Sequence, residues 1–126
     1  MEEKAYKTHI DVLEFHFKNE VTGTDEVKLH QIIEFTVQRP KDGSLTERAI
    51  IVHRQGSSLD YKLELNITAR VVFDFGEEPI TLDNQSFLEQ YDTQAYAEFY
   101  QKIHDALSVM GAEWAFPEIP LPKRSN

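Results

Sequence analysis

Histidines and carboxylates are the side chains of this chain whose types and spacing invite a chemical reading. The histidines are His9, His16, His30, His53 and His104, and none shows an H-E-x-x-H or H-x-H spacing. Glu14 with His16, and His30 with Glu34, fall at even positions of extended-looking stretches. That parity would set a carboxylate and an imidazole on one strand face, the minimum for a metal site. Nothing in the spacing demands a metal, so histidines on a solvated sheet face are the expectation. The carboxylates Glu77, Glu78, Asp83, Glu89 and Asp92 crowd one segment. General acid–base catalysis needs two such groups held in a dry cleft; a solvated connection leading into a helix is the simpler reading. Asp74-Phe75-Gly76 spells the metal-binding triplet of protein kinases, but the chain lacks the glycine-rich and catalytic loops that chemistry requires. There is no G-x-S-x-G elbow and no cysteine. Neither catalysis nor a cofactor or metal is expected.

Composition narrows the function classes further. The chain has 126 residues, 40% hydrophobic, in the size range of one domain that buries a single core, and residues 1–126 are read as one unit. Absence of cysteine removes disulfides, thiolate zinc sites and cysteine nucleophiles, and is compatible with a reducing cytosol. The formal charge of −9 repels phosphate backbones and anionic lipid, so neither nucleic acid nor membrane is expected as a partner. No apolar run approaches the roughly 18 residues of a membrane span, and the polar start Met1-Glu2-Glu3-Lys4 does not read as a signal peptide. A cytoplasmic location is the expectation.

The elements that would carry these residues are punctuated by Gly23, Gly43, Gly56, Gly76 and Gly111. Leu59, Tyr61, Leu63, Leu65, Ile67, Ala69, Val71, Phe73 and Phe75 alternate with polar neighbours, as a strand with one buried face must. Straight, such a strand would span about 55 Å at about 3.3 Å per residue, so it should bend and change partners along its length. Glu26–Arg39 alternates likewise, with Val27, Leu29, Ile33, Phe35 and Val37 on one side, and Pro40-Lys41-Asp42-Gly43 forms a turn. Thr46–Arg54 has Ile50, Ile51 and Val52 in a row. In the first stretch, Thr8–Lys18, Ile10 and Val12 change parity with Leu13, Phe15 and Phe17, so a bulge is expected near Val12–Leu13.

Pairing the second and third strands with Ile33 opposite Ile51 and Phe35 opposite Ala49 leaves an apolar strip on the second sheet face. The strip comprises Ile10, Val12, Ile32, Ile50, Val52 and Val72. After Pro79 a connection leads to a helix over Asp92–Met110, where Tyr96, Phe99, Tyr100, Ile103, Leu107 and Met110 recur at helical spacing. Asp92 or Thr93 would be its N-cap and Gly111 its C-terminal stop. The closing segment is apolar yet proline-rich, with Trp114, Phe116, Ile119 and Leu121 among Pro117, Pro120 and Pro122. Packing on its own fold is the favoured role for it, ahead of an oligomer interface or a polyproline II peptide.

Four antiparallel strands, an amphipathic helix and Phe116-Pro117-Glu118-Ile119-Pro120-Leu121-Pro122 together resemble the SecB export-chaperone family, and more closely its uncharacterised relatives in Gram-positive bacteria. The resemblance covers roughly Glu26 to Leu121. It implies an α+β fold whose four-stranded antiparallel sheet is ordered 1-4-3-2, covered on one face by a C-terminal helix and the proline-containing tail. It also implies homo-oligomers, often dimers of dimers, that hold unfolded polypeptide in apolar grooves. The sequence stops at Asn126 without the second helix and the basic, cysteine-containing tail of SecB, which argues against export by the SecB route.

The expectation is therefore a SecB-like protein-binding module: a cytosolic chaperone or holdase of unfolded or partner polypeptides, acting without catalysis. Its partners would be itself, as a dimer or tetramer, and unfolded chains. The surface expected to serve them is Ile10, Val12, Ile32, Ile50, Val52 and Val72, with Trp114 and Phe116. On this reading Ile32→Asp with Val52→Asp abolishes client binding and spares the fold. A structural homo-oligomer that consumes the same strip, or a small ligand- or metal-binding domain, are the competing readings.

Overall fold

A computed structural model describes residues 5–21 and 28–118. Strands β1 (Lys7–Asn19), β2 (Leu29–Gln38), β3 (Glu47–Ser58) and β4 (Leu63–Asp74) precede one long helix, α1 (Asn84–Val109), and a 3-10 turn at Glu113–Ala115. The strands form one antiparallel sheet in the order β1-β4-β3-β2. Helix α1 and the segment after it lie on one face. On that face Ile50, Val52, Leu65, Ile67, Ala69, Val71 and Phe73 meet Phe87, Ala95, Phe99, Ile103 and Leu107 in a single core. The opposite face is open and mostly polar.

The fourth strand begins later than its alternation suggests. Leu59 and Tyr61 are exposed, and residues 59–62 form the turn back from β3. Tyr61 adopts φ 59°, its amide donates to the Ser58 carbonyl at 3.0 Å, and the Leu63 amide donates to Ser58 Oγ at 3.1 Å. The Asp60 carboxylate accepts from the Ser58 hydroxyl at 2.8 Å and the Lys62 amide at 3.2 Å, which holds it below the ordinary aspartate value. Nor does the strand change partners. It is flanked on both sides along its length, Asp74 to Leu63 by β1 and Asp74 to Glu64 by β3. Val27 and Gly23 lie outside the described residues.

The register between β2 and β3 also differs from expectation, with consequences for the proposed strip. Phe35 pairs with Val52, Val37 with Ile50 and Ile33 with Arg54. This odd-with-even pairing turns the even residues of β3 toward the helix, so Ile50 and Val52 are fully buried core residues rather than members of the second face. Residues 39–46 join these strands, too long a connection to dictate register, so packing decides it. Gly56, expected between segments, lies within β3. It pairs with Gln31, whose Cγ would sit 3.2 Å from any Cβ added there. A side chain at that point would press on Gln31, which a glycine leaves room for.

In β1 the pairing shifts between Val12 and Glu14, leaving Leu13 as a bulge where one was expected. The bulge unites the two parities instead of dividing them. Ile10 and Val12 pair with Val71 and Ala69, and Phe15 and Phe17 with Ile67 and Leu65, all partners that face the core. Ile10 and Val12 therefore belong to the helix face.

Helix α1 starts at Asn84, well before Asp92. Asp83 is the N-cap and accepts from the Ser86 amide at 2.7 Å. Phe87 and Tyr91 extend the buried stripe to the N-terminus, and Phe73, Phe75, Tyr6 and Tyr91 stack into an aromatic cluster there. At the other end Gly111 takes φ 69°. The Gly111 and Ala112 amides donate to the Ser108 and Leu107 carbonyls at 3.0 and 2.9 Å, a Schellman stop.

Two outcomes follow. Val52→Asp places a carboxylate in the fully buried core, at a cost comparable to the whole stability of a small domain; it should not fold. Ile32→Asp, at a 58% exposed position, should leave the thermal midpoint nearly unchanged. Circular dichroism melts distinguish the two. The Ser86 amide, then its hydroxyl, and nearby Arg48 hold the Asp83 carboxyl below its ordinary value. Its stabilising contribution is complete above the unfolded-chain value of about 3.9 and is lost as pH falls through the lower native value. Asp83→Ala should lower the thermal midpoint at neutral pH, and its deficit should shrink in strong acid.

Candidate functional site

The chain after α1 is held by a buried cation. Arg54, fully buried on the helix face of β3, donates from Nε to Gln31 Oε1 at 2.9 Å and from Nη2 to the same oxygen. Nη2 also donates to the Pro117 carbonyl at 2.8 Å, and Nη1 to the Tyr96 hydroxyl at 3.4 Å. The guanidinium lies 3.9 Å from the centre of the Phe116 ring, which stacks on Tyr100 at 5.4 Å. Among the described residues its partners are neutral. Burial lowers the Arg54 pKa, opposed by Tyr96 and Tyr100. Phe116 is thus a core residue, as tail packing on the domain requires, whereas Trp114 stays 53% exposed in the turn before it. Arg48, at the other end of β3, performs a related task. Its Nη1 donates to the Leu82 carbonyl at 2.6 Å and its guanidinium lies 5.1 Å from the Phe87 ring centre, tying the sheet to the start of α1.

The helix closes the start of β1 but not its middle. Tyr6 packs into the aromatic cluster, and the Thr8 hydroxyl donates to Glu98 Oε1 at 3.3 Å. Beyond that point Val12, Leu13 and Phe15 are 42%, 46% and 38% exposed. They sit on a strand at the border of the sheet, with one side of its backbone unpaired within the sheet. An edge strand carrying apolar side chains is a template for added chain.

A scan of family models finds no match, and a search of curated proteins finds none either. Among solved structures, the chain is similar to the Mycobacterium tuberculosis Rv1957 SecB-like chaperone in complex with a ChAD peptide from the Rv1956 HigA1 antitoxin. The match has TM-score 0.65 and 9% sequence identity, and covers 92% of this chain and 90% of that one. The fold is SecB-like.

Within this SecB-like sheet the residues singled out from sequence are dispersed. Ile50, Val52 and Phe116 are core; Ile10 packs partly against the core and Val12 opens beside it. Ile32 and Val72 are on the open face, Ile32 exposed and Val72 nearly covered. Around them that face carries His9, His16, His30 and His53; His9 Nε2 lies 3.6 Å from Asp11 on its own strand, whereas two other histidine–carboxylate contacts run across strands. His53 Nδ1 lies 3.9 Å from Glu34 and His16 Nε2 lies 3.8 Å from Glu64, in place of the Glu14–His16 and His30–Glu34 pairs suggested by spacing. Among the described residues no three potential ligands converge to hold a metal ion. The carboxylates before the helix are also dispersed: Glu77, Glu78 and Glu89 are exposed, Asp83 caps α1, and Asp92 is buried within it. Among the described residues no helix is long and apolar enough to cross a membrane.

Arg54, Leu13 and Phe15 are what the sequence reading missed as determinants of this surface. The available signal for Arg54 was its even-position sequence with Ile50 and Val52; for Leu13 and Phe15 it was the parity change itself. Arg54→Ala should destabilise the domain by about 3 kcal/mol, from lost packing and hydrogen-bonding groups left unpaired. Hydrogen exchange should show the amides of Ala115 and Phe116 losing protection more than those of β4. Equal loss in both would count against a local clamp.

Proposed function

We propose that this protein is a SecB-like polypeptide-binding module that engages exposed segments of other chains through β1, without catalysis. The observation that carries this reading is the apolar patch Val12, Leu13 and Phe15 left open on an edge strand, in a fold that matches a SecB-like chaperone. Trp114 and Ile10 are candidate contributors, and Ile32 with Val72 a secondary surface on the open face. Ile50, Val52 and Phe116 act only by maintaining the core. The similar structure holds a peptide from an antitoxin, which supports a narrow form of the proposal: one partner's exposed segment in place of unfolded chains at large. The proposed setting is the cytoplasm, consistent with a cysteine-free chain.

Self-association is the second reading, because an exposed edge strand can pair with its own copy about a two-fold axis. Light scattering from chemically denatured test proteins, with and without the purified chain, examines the first. The wild type should suppress scattering, and Val12→Ser with Phe15→Ser should remove the effect while the circular dichroism melt stays cooperative. Failure of the wild type to suppress aggregation would remove a general holdase. Under the second reading, the same double substitution reduces the solution mass to that of a monomer and leaves any client effect intact.

A further inference from the structure

The open face carries a cavity whose charge is opposite to that of the chain. It has a volume of about 350 Å³ and lies where the β2–β3 connection overhangs the sheet. Its floor includes Ala49 and Val72, directly paired across β3 and β4 and only 6% and 9% exposed, although among the described residues no helix covers this face. Lys41 and Arg70 line it with Glu47 as the acidic member; Arg39 and Arg48 also belong to the lining, their guanidiniums bonded to Asn84 and to the Leu82 carbonyl on the helix side. A chain of net charge −9 thus gathers several cations about one concavity.

The walls are ordered by their own hydrogen bonds. The Gly43 amide donates to the Pro40 carbonyl at 3.2 Å and the Ser44 amide to Asp42 Oδ1 at 2.9 Å, shaping the overhanging turn. Arg39 Nε donates to Asn84 Oδ1 at 3.2 Å, anchoring that wall to the first residue of α1. Arg70 is oriented by donating from Nε to Gln38 Oε1 at 2.8 Å, and its Nη1 lies 3.9 Å from Asp11 Oδ2. Its Nη2 makes no hydrogen bond among the described residues, so a preset donor remains. Arg48 is committed to the Leu82 carbonyl and adds charge from the back. Burial, and to a lesser extent Arg39, lower the Arg48 pKa, opposed by Asp83.

An apolar floor beneath a cationic rim selects an amphiphilic anion. The volume suits roughly ten non-hydrogen atoms if each takes about the 30 Å³ of a liquid water molecule. We propose that this cavity binds a carboxylate on a short aliphatic stem, with the carboxylate on Arg70 and Lys41 and the stem over Ala49 and Val72. A free small acid and the glutamate side chain of a bound polypeptide offer the same chemistry. The cavity touches β1 through the Arg70–Asp11 contact, but its lining contains none of Val12, Leu13 and Phe15, so this proposal does not depend on the polypeptide-binding reading and either can fail alone.

The test is a proton–nitrogen correlation NMR titration of the full chain with four probes. Two are pentanoate and pentanamide; two are acetylated, amidated peptides carrying a single central Glu or Gln between valines. Pentanoate should shift the Ala49, Val72 and Lys41 amides saturably, and pentanamide should not. Saturable binding of the Glu peptide but not the Gln peptide would assign the polypeptide as a source; binding of pentanoate alone would assign a free acid. Arg70→Gln and Lys41→Gln should each weaken pentanoate by about tenfold, the usual scale for removing one charge-assisted hydrogen bond. Glu47→Gln should tighten it. Should Arg70→Gln fail to fold, the exposed Lys41→Glu serves instead. Equal shifts with acid and amide, unsaturable shifts, or unchanged affinity in the lysine variants would overturn the proposal.

Discussion

A guanidinium with no carboxylate partner among the described residues organises one end of this molecule. Transferring a charge into a protein interior costs several kcal/mol even after relaxation, and Arg54 meets that cost with a glutamine oxygen, a tyrosine hydroxyl, a peptide carbonyl and an aromatic face. Each partner comes from a different part of the chain: Gln31 from β2, Tyr96 from α1, Phe116 and Pro117 from the closing segment. Strand β2, the helix and the tail are therefore coupled through one side chain. None of them can move far without leaving buried donors unpaired, which is the expensive condition. Gly56 lies beside the same arrangement, paired with Gln31 and leaving room for its side chain.

That interaction also explains what was legible in the sequence and what was not. The alternation of Leu63–Phe73 marked the core face of β4 correctly, and the parity change in β1 marked its bulge. The strand order 1-4-3-2 followed from resemblance, and the structure has it. Pairing Ile33 with Ile51 and Phe35 with Ala49 sets the odd positions of β3 on the core side. The structure puts the even ones there, Arg48 and Arg54 included, residue types that ordinarily mark a solvated side. Both arginines are buried, and Ile50 and Val52 go inside with them. Periodicity reports hydrophobicity; it does not report a cation that finds rings and carbonyls. The helix start was missed for a similar reason. Asp83 and Ser86 form a capping pair read as loop polarity, and Phe87 and Tyr91 prolong a stripe whose beginning was set at Asp92.

The two sheet faces divide the surface chemistry. On the helix face, α1 follows the aromatic cluster at one end and the arginine clamp at the other, leaving the middle of β1 open. On the open face, cross-strand polar contacts such as His53 with Asn66 at 2.7 Å and Arg70 with Gln38 keep the sheet hydrated and discourage a second layer from packing there. Val12, Leu13 and Phe15 are exposed on a border strand, and Arg70 and Lys41 line a concavity on the open face.

Trp114 gives the arginine clamp an observer. It is the chain's single tryptophan, placed in the 3-10 turn two positions before the ring that covers Arg54. Half in water, it occupies the boundary that the closing segment must cross if it detaches. Its emission is therefore an intrinsic gauge of that segment's docking, built in without a label, against which occupancy elsewhere on the protein can be timed.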